Sequence, residues 1–153
     1  MNEATLRNYV RKGLHAKGIL TTHHEDLLNA GVPDLSYSGN GVNGFIELKW
    51  LEAWPKREDT TVRIPHYTKE QKHFLLTRGR AGGRCWLLLR VGREHLLFDH
   101  ESAQYVGELH RAETCARTVM LCTDGKINFE LLARYITHMR AARLNWLVKT
   151  RGN

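Results

Sequence analysis

Residues 31–50 read GVPDLSYSGNGVNGFIELKW, and the fold turns on where the three charged groups of this stretch sit. Two strand-like runs, 32–38 and 43–50, flank SGNGVNG, whose glycines and asparagines accept the positive φ angles of a hairpin turn. Charged residues ordinarily avoid such runs, because an unpaired buried charge is costly. Yet Asp34 lies in the first run, and Glu47 and Lys49 lie in the second. Residues two apart on a strand share a face, so Glu47 and Lys49 point one way while Ile46 and Leu48 point the other. The hairpin brings the Asp34 strand alongside. Two carboxylates and an ammonium can therefore converge at one place on a sheet.

Upstream, Asn2 is placed to cap a helix that carries Leu6, Val10 and Leu14 and stops near Gly18. Residues 19–30 fit either a short helix or an irregular entry to the first strand. Downstream, LEAWPKREDTTVRIPHY (51–67) reads as a long basic connection with TTVRIP as a third strand. A helix is expected from Thr68, holding Phe74 and Leu75 and ending before Gly79. CWLLLRVG and HLLFD read as a hairpin, ESAQYVGEL as a short helix, and TVMLC as a last strand closed by the Asp124-Gly125 turn. Asn128 then caps a helix with Phe129, Leu132, Ile136 and Met139 on one stripe, extending towards Lys149. No repeat or linker interrupts the chain, so residues 1–153 read as a single domain. The class is α/β, a mixed β-sheet flanked by helices.

The chain of 153 residues is 42% hydrophobic and 25% charged, an ordinary globular composition, and it carries a net charge of +7. That balance favours a polyanionic partner such as nucleic acid. Cys85, Cys115 and Cys122 form no C-x-x-C pair, and their odd number points to a reducing, cytoplasmic compartment over a disulfide framework. The opening MNEATLRNYVRKG lacks an apolar signal core, and no run is long enough to span a membrane. Nine histidines raise the question of zinc. His23 and His24, being adjacent, are poorly placed to share an ion on regular structure.

Two close carboxylates repel one another unless a proton or a cation stands between them. A hard divalent ion suits Asp34 and Glu47: Mg2+, with Mn2+ as a substitute, wants oxygen ligands and readily accepts phosphate oxygens as well. The backbone carbonyl of Leu48 is a natural additional ligand. Lys49 then sits where an attacking water or a developing phosphorane charge needs a cation. A plainer reading of the same residues makes Glu47 and Lys49 a solvated pair on a surface hairpin, with Asp34 a turn former.

The order G-V-P-D-L, then F-I-E-L-K, then T-K-E-Q-K-H-F-L resembles the PD-(D/E)xK nuclease superfamily. More narrowly, it is similar to the small stand-alone VRR-NUC-type and phage Holliday-junction-resolving members. The resemblance covers roughly residues 25–92. It implies a restriction-endonuclease-like fold and a metal-dependent DNA endonuclease in which Asp34 and Glu47 hold the ion and Lys49 assists the nucleophile. Gln71 matches the family's glutamine in the helix after the catalytic strand; it also completes a capping box with Thr68. Several members draw a further carboxylate from the N-terminal region, which here points to Glu25 in preference to Asp26. Residues 100–153 match no motif, and the arginine-rich elements of the VRR group are not evident.

Lys56, Arg57, Arg63, Lys69 and Lys72 adjoin the acidic residues in sequence and are candidates for contacts to a DNA backbone. One domain without a base-reading module senses shape, hence the expectation of branched DNA. Two symmetric nicks need two sites, hence the expectation of a homodimer. Leu144, Trp146, Leu147 and Val148 either form its interface or fold back on their own domain. Two other functions fit the same composition: a restriction or repair endonuclease on duplex DNA, and a basic nucleic-acid-binding protein whose acids are structural.

Overall fold

Cys85–Leu89 is an unbroken apolar run, and all five of its side chains are buried. A strand covered on both faces needs apolar residues at every position instead of every second one. The computed structural model describes residues 2–25 and 30–138. Six strands form one sheet in chain order: β1 (Leu20–His23), β2 (Leu35–Gly39), β3 (Val42–Leu51), β4 (Arg84–Val91), β5 (Glu94–Asp99) and β6 (Met120–Cys122). Neighbours are antiparallel except β3 and β4, which run parallel from Gly44↔Arg84 to Leu51↔Val91. A parallel pair requires a crossover. The long connection after β3 and helix α2 (Lys69–Arg80) supply it.

Helices α1 (Glu3–His15) and α4 (Phe129–Thr137) cover one face. They bury Leu6, Val10, Leu14, Leu132 and Ile136 against Leu35, Ile46, Leu48, Trp86 and Leu88. Each helix starts on an asparagine cap: Thr5 N donates to Asn2 Oδ1 at 2.8 Å, and Leu131 N to Asn128 Oδ1 at 3.0 Å. On the other face, Leu75 of α2 and Val62 and Ile64 of the connection pack on Leu87, Leu89, Leu96 and Phe98. The result is α/β, a mixed sheet flanked by helices, as the sequence implies.

Several boundaries differ from expectation. The β2–β3 hairpin turns on Asn40-Gly41, both with positive φ (51° and 76°), so SGNGVNG is mostly strand and the turn is two residues. Residues 20–23 form a strand that pairs β2, whereas TTVRIP does not form one. Thr61 makes one isolated bridge with His110, and Val62 and Ile64 are buried beneath the connection without joining the sheet. Pro65, with no N–H to offer a ladder, closes that option. Helix α2 continues through Gly79 to Arg80. Gly79 is there for contact: a Cβ would meet the His100 ring at 2.1 Å. ESAQYVGEL is reduced to a 3₁₀ turn at Ser102–Gln104, and an unanticipated α3 (Arg111–Ala116) follows, capped by His110. Among the described residues no helix is long and apolar enough to cross a membrane. Asp26, Met139, Leu144, Trp146, Leu147 and Val148 lie outside the described residues.

Candidate active site

The last β2–β3 pair on this side is Leu35↔Ile46. Asp34 stands one residue before β2, so it has left the ladder. Its Oδ2 accepts from Leu48 N at 2.8 Å and so takes over the donor that a continuing strand would have used. Its own carbonyl accepts from His24 N at 2.9 Å, and Pro33 is buried behind it. Asp34 is thereby fixed at the end of the hairpin. In an extended strand the N–H and C=O of one residue point to the same side. The Leu48 carbonyl is therefore directed towards the Asp34 side, beyond the reach of β2.

Glu47 and Lys49 alternate with Ile46 and Leu48, which are locked in the α1/α4 core, so both charged side chains face α2. Both are buried: Glu47 is 1% and Lys49 4% exposed. This excludes the solvated-pair reading. Glu47 Oε1 lies 3.6 Å from Lys49 Nζ and 3.5 Å from Gln71 Nε2, while Oε2 is buried with no hydrogen-bond partner among the described residues. Lys49 Nζ donates to the carbonyl of His66 at 3.0 Å. Gln71 serves two ends at once: Thr68 N donates to its Oε1 at 2.9 Å, Gln71 N donates to Thr68 Oγ1 at 3.2 Å, and its Nε2 turns to Glu47.

The third carboxylate is Glu3, in the first turn of α1. Carboxylate oxygens of Glu3, Asp34 and Glu47 lie within 4.8 Å of one another. Burial holds the Glu47 carboxyl well above the usual carboxylate range, and the adjacent Asp34 and the charge of Glu3 push it further up; Lys49 only partly opposes them. An orphaned buried oxygen among three converging carboxylates, made to favour a proton over charge, is a donor set that fits a hard divalent cation. Glu25 is not part of this cluster: its side chain is 80% exposed and its carboxylate lies 3.9 Å from His23 Nε2. Glu3 was detectable in one respect, being the only acid N-terminal to Glu25. That α1 would bring it to the hairpin was not.

Of the basic candidates, Lys56, Arg57, Arg63 and Lys69 are exposed. Arg57 pairs with Asp59 at 3.1 Å. Lys72 is turned inward, with Nζ 5.1 Å from the Tyr67 ring centre and 3.7 Å from Glu108. It is the least available of the five. His24 Nε2 bonds Ser36 Oγ at 2.8 Å, and among the described residues no second group of three potential metal ligands accompanies the histidines.

No protein-family model matches the chain, and no curated protein sequence matches it. Among solved structures, the chain is similar to the Holliday junction resolvase Hjc of the archaeal hyperthermophile Archaeoglobus fulgidus. Identity is 14% over 65% of this chain and 78% of that one, with a TM-score of 0.47. So remote a likeness does not bear on the chemistry, which rests on the side chains themselves.

Proposed function

We propose that the protein is a divalent-metal-dependent DNA endonuclease of PD-(D/E)xK type, acting on branched DNA. The observation that carries the reading is the buried Oε2 of Glu47, unpartnered among the described residues, beside Asp34 and Glu3, with Lys49 next on the same strand face. Structural acids are normally satisfied by hydrogen bonds. This one stands open beside two other carboxylates, with no partner among the described residues.

Glu3, Asp34 and Glu47, with the Leu48 carbonyl, would hold Mg2+ or Mn2+. When bound, such an ion offsets phosphate charge and makes a ligated water a better nucleophile. Lys49, 3.6 Å from Glu47 Oε1 and aimed by the His66 carbonyl, offers N–H donors to the attacking water and to the charge that builds on the phosphoryl oxygens. Gln71 keeps the Glu47 carboxylate from rotating while capping α2. Exposed Lys56, Arg57, Arg63 and Lys69 supply phosphate contacts, which position a duplex without reading its bases. A symmetric junction needs two nicks, so a two-fold homodimer is the assembly this activity calls for.

The deciding experiment is a panel of end-labelled four-way junction, flap, duplex and single strand, incubated with Mg2+ or with EDTA. Junction cleavage that EDTA abolishes is the expected result. Undiminished cutting in EDTA excludes the mechanism. Equal cutting of plain duplex transfers the function to restriction or repair, and metal-independent binding without cleavage of any substrate leaves a nucleic-acid-binding protein.

A further inference from the structure

Lys49 is held by a residue whose own backbone is in an unfavourable conformation, and we infer that His66 is a positioning residue for Lys49, acting through its carbonyl and not through its imidazole. The inference rests on the nuclease reading above. His66 has φ 63°, one of two non-glycine residues with positive φ among those described. The other, Asn40, occupies an Asn-Gly hairpin turn, where such angles are expected.

Residues 64–67 form a β-turn: Tyr67 N donates to the Ile64 carbonyl at 3.4 Å, with Pro65 and His66 in the middle. Proline at the second position and positive φ at the third are the marks of a type II turn, whose third position ordinarily takes glycine. Histidine there carries a steric penalty, and such strain persists only where the surroundings over-determine it. They do so here. Ile64 is anchored in the α2-side core, Tyr67 OH donates to the Ala103 carbonyl at 2.8 Å, and Thr68 N is tied to Gln71.

What the turn delivers is a carbonyl 3.0 Å from Lys49 Nζ. An ammonium has three N–H donors and a flexible four-carbon stem. One bond to a rigid carbonyl fixes the head of that stem beside Glu47 and leaves donors for water or phosphate. The same corner, residues 66–71, thus grips both charged side chains of β3: Lys49 through the carbonyl of His66, and Glu47 through the amide of Gln71.

The test compares His66→Gly with His66→Val in the full chain. Glycine adopts positive φ freely and keeps the carbonyl in place; a β-branched residue resists that region. Two readouts are taken: kcat and KM on the substrate that the parent cuts, and the Lys49 Nζ signal in a low-temperature 1H–15N spectrum, assigned with Lys49→Arg. Nζ protons held by the carbonyl exchange slowly enough to be seen. Expected are a His66→Gly protein within about threefold of the parent and with the signal, and a His66→Val protein with kcat lowered about tenfold or more, KM unchanged and the signal lost. If His66→Gly falls as far as His66→Val, the imidazole matters and the inference is wrong; it is equally wrong if His66→Val keeps both readouts. Should circular dichroism show His66→Val unfolded, His66→Ala takes its place under the same criteria. A parent that cuts no nucleic acid defeats the nuclease reading, and the carbonyl clamp is then judged by the Lys49 signal alone.

Discussion

Replacing Glu47 by glutamine should make the metal-free protein more stable while abolishing cleavage. The Glu47 carboxyl titrates near 10 in the fold, against 4.5 in the open chain, because it is buried beside Asp34. At pH 7 the unfolded side chain is ionised and the folded one is held protonated. The native state therefore binds the extra proton, and stability is fully present below about pH 4.5 and lost as pH rises towards about 10. At 1.36 kcal/mol per unit, the rise from 4.5 to 7 costs about 3 kcal/mol. An amide of the same shape cannot ionise and escapes that loss.

For a chain of this size each kcal/mol moves Tm by roughly 2–4 °C, so Glu47→Gln should melt about 6–12 °C higher at pH 7 and nearly level with the parent near pH 4.5. Mg2+ should narrow the gap from the other side. A cation that binds only the folded state stabilises it, and the parent alone retains the full ligand set. Thermal melts at about pH 5, 7 and 8.5, in EDTA and in Mg2+, measure all of this. A variant less stable than the parent at the highest pH in EDTA, or an equal Mg2+ gain in both proteins, would refute the reasoning.

Lys49→Met and Asp34→Asn should each abolish cleavage with DNA affinity nearly unchanged in a gel-shift assay, since affinity is spread over many Lys and Arg contacts. Glu3→Gln should weaken Mg2+ activation about tenfold, measured as the concentration for half-maximal cleavage, while Glu25→Gln leaves it unchanged; the reverse order would return the third ligand to Glu25. Gln71→Ala should lose about 1 kcal/mol of stability from the broken capping box and a further part of kcat from the freed Glu47; a stability loss with no kcat change would confine Gln71 to capping. His95 is fully buried, both ring nitrogens lack a partner among the described residues, and burial lowers its pKa from 6.5 to about 4. Its contribution is present above pH 6.5 and lost as pH falls towards 4, so His95→Leu should abolish about 3 kcal/mol of acid sensitivity across that window in denaturant titrations.

The parts of the fold that were legible in the sequence are those where a local pattern and a tertiary demand coincide. The stripe of Leu6, Val10 and Leu14 behind Asn2 gave α1, and the all-apolar Cys85–Leu89 gave a strand buried on both faces. Where tertiary contact overrides the local pattern, the local pattern misleads. Gly79 looks like a helix stop but serves to admit His100. TTVRIP has strand-like residues, yet Val62 and Ile64 are buried outside the sheet, while the polar LTTH forms the edge strand instead. An edge strand with one open side needs little apolar content, so nothing in its composition announces it.

The candidate site divides along the same line. Glu47 and Lys49 belong to one strand, so period-two geometry places them together whatever the rest of the chain does. Asp34 is tied to them by the hairpin, a contact of short sequence separation, made definite by its bond to Leu48 N. Glu3 joins through docking alone. Leu6, Val10 and Leu14 seat α1 on the face of β3 that carries Ile46 and Leu48, and that seating carries the first turn of the helix to the end of the hairpin. The helix start also contributes partial positive charge, which eases the approach of a third carboxylate to two others. Helix docking is a relation between two apolar faces, and neither face records in its own spacing which end of the helix will meet which end of the strand. A carboxylate delivered this way is found by folding the chain; one delivered by a strand is found by counting along it.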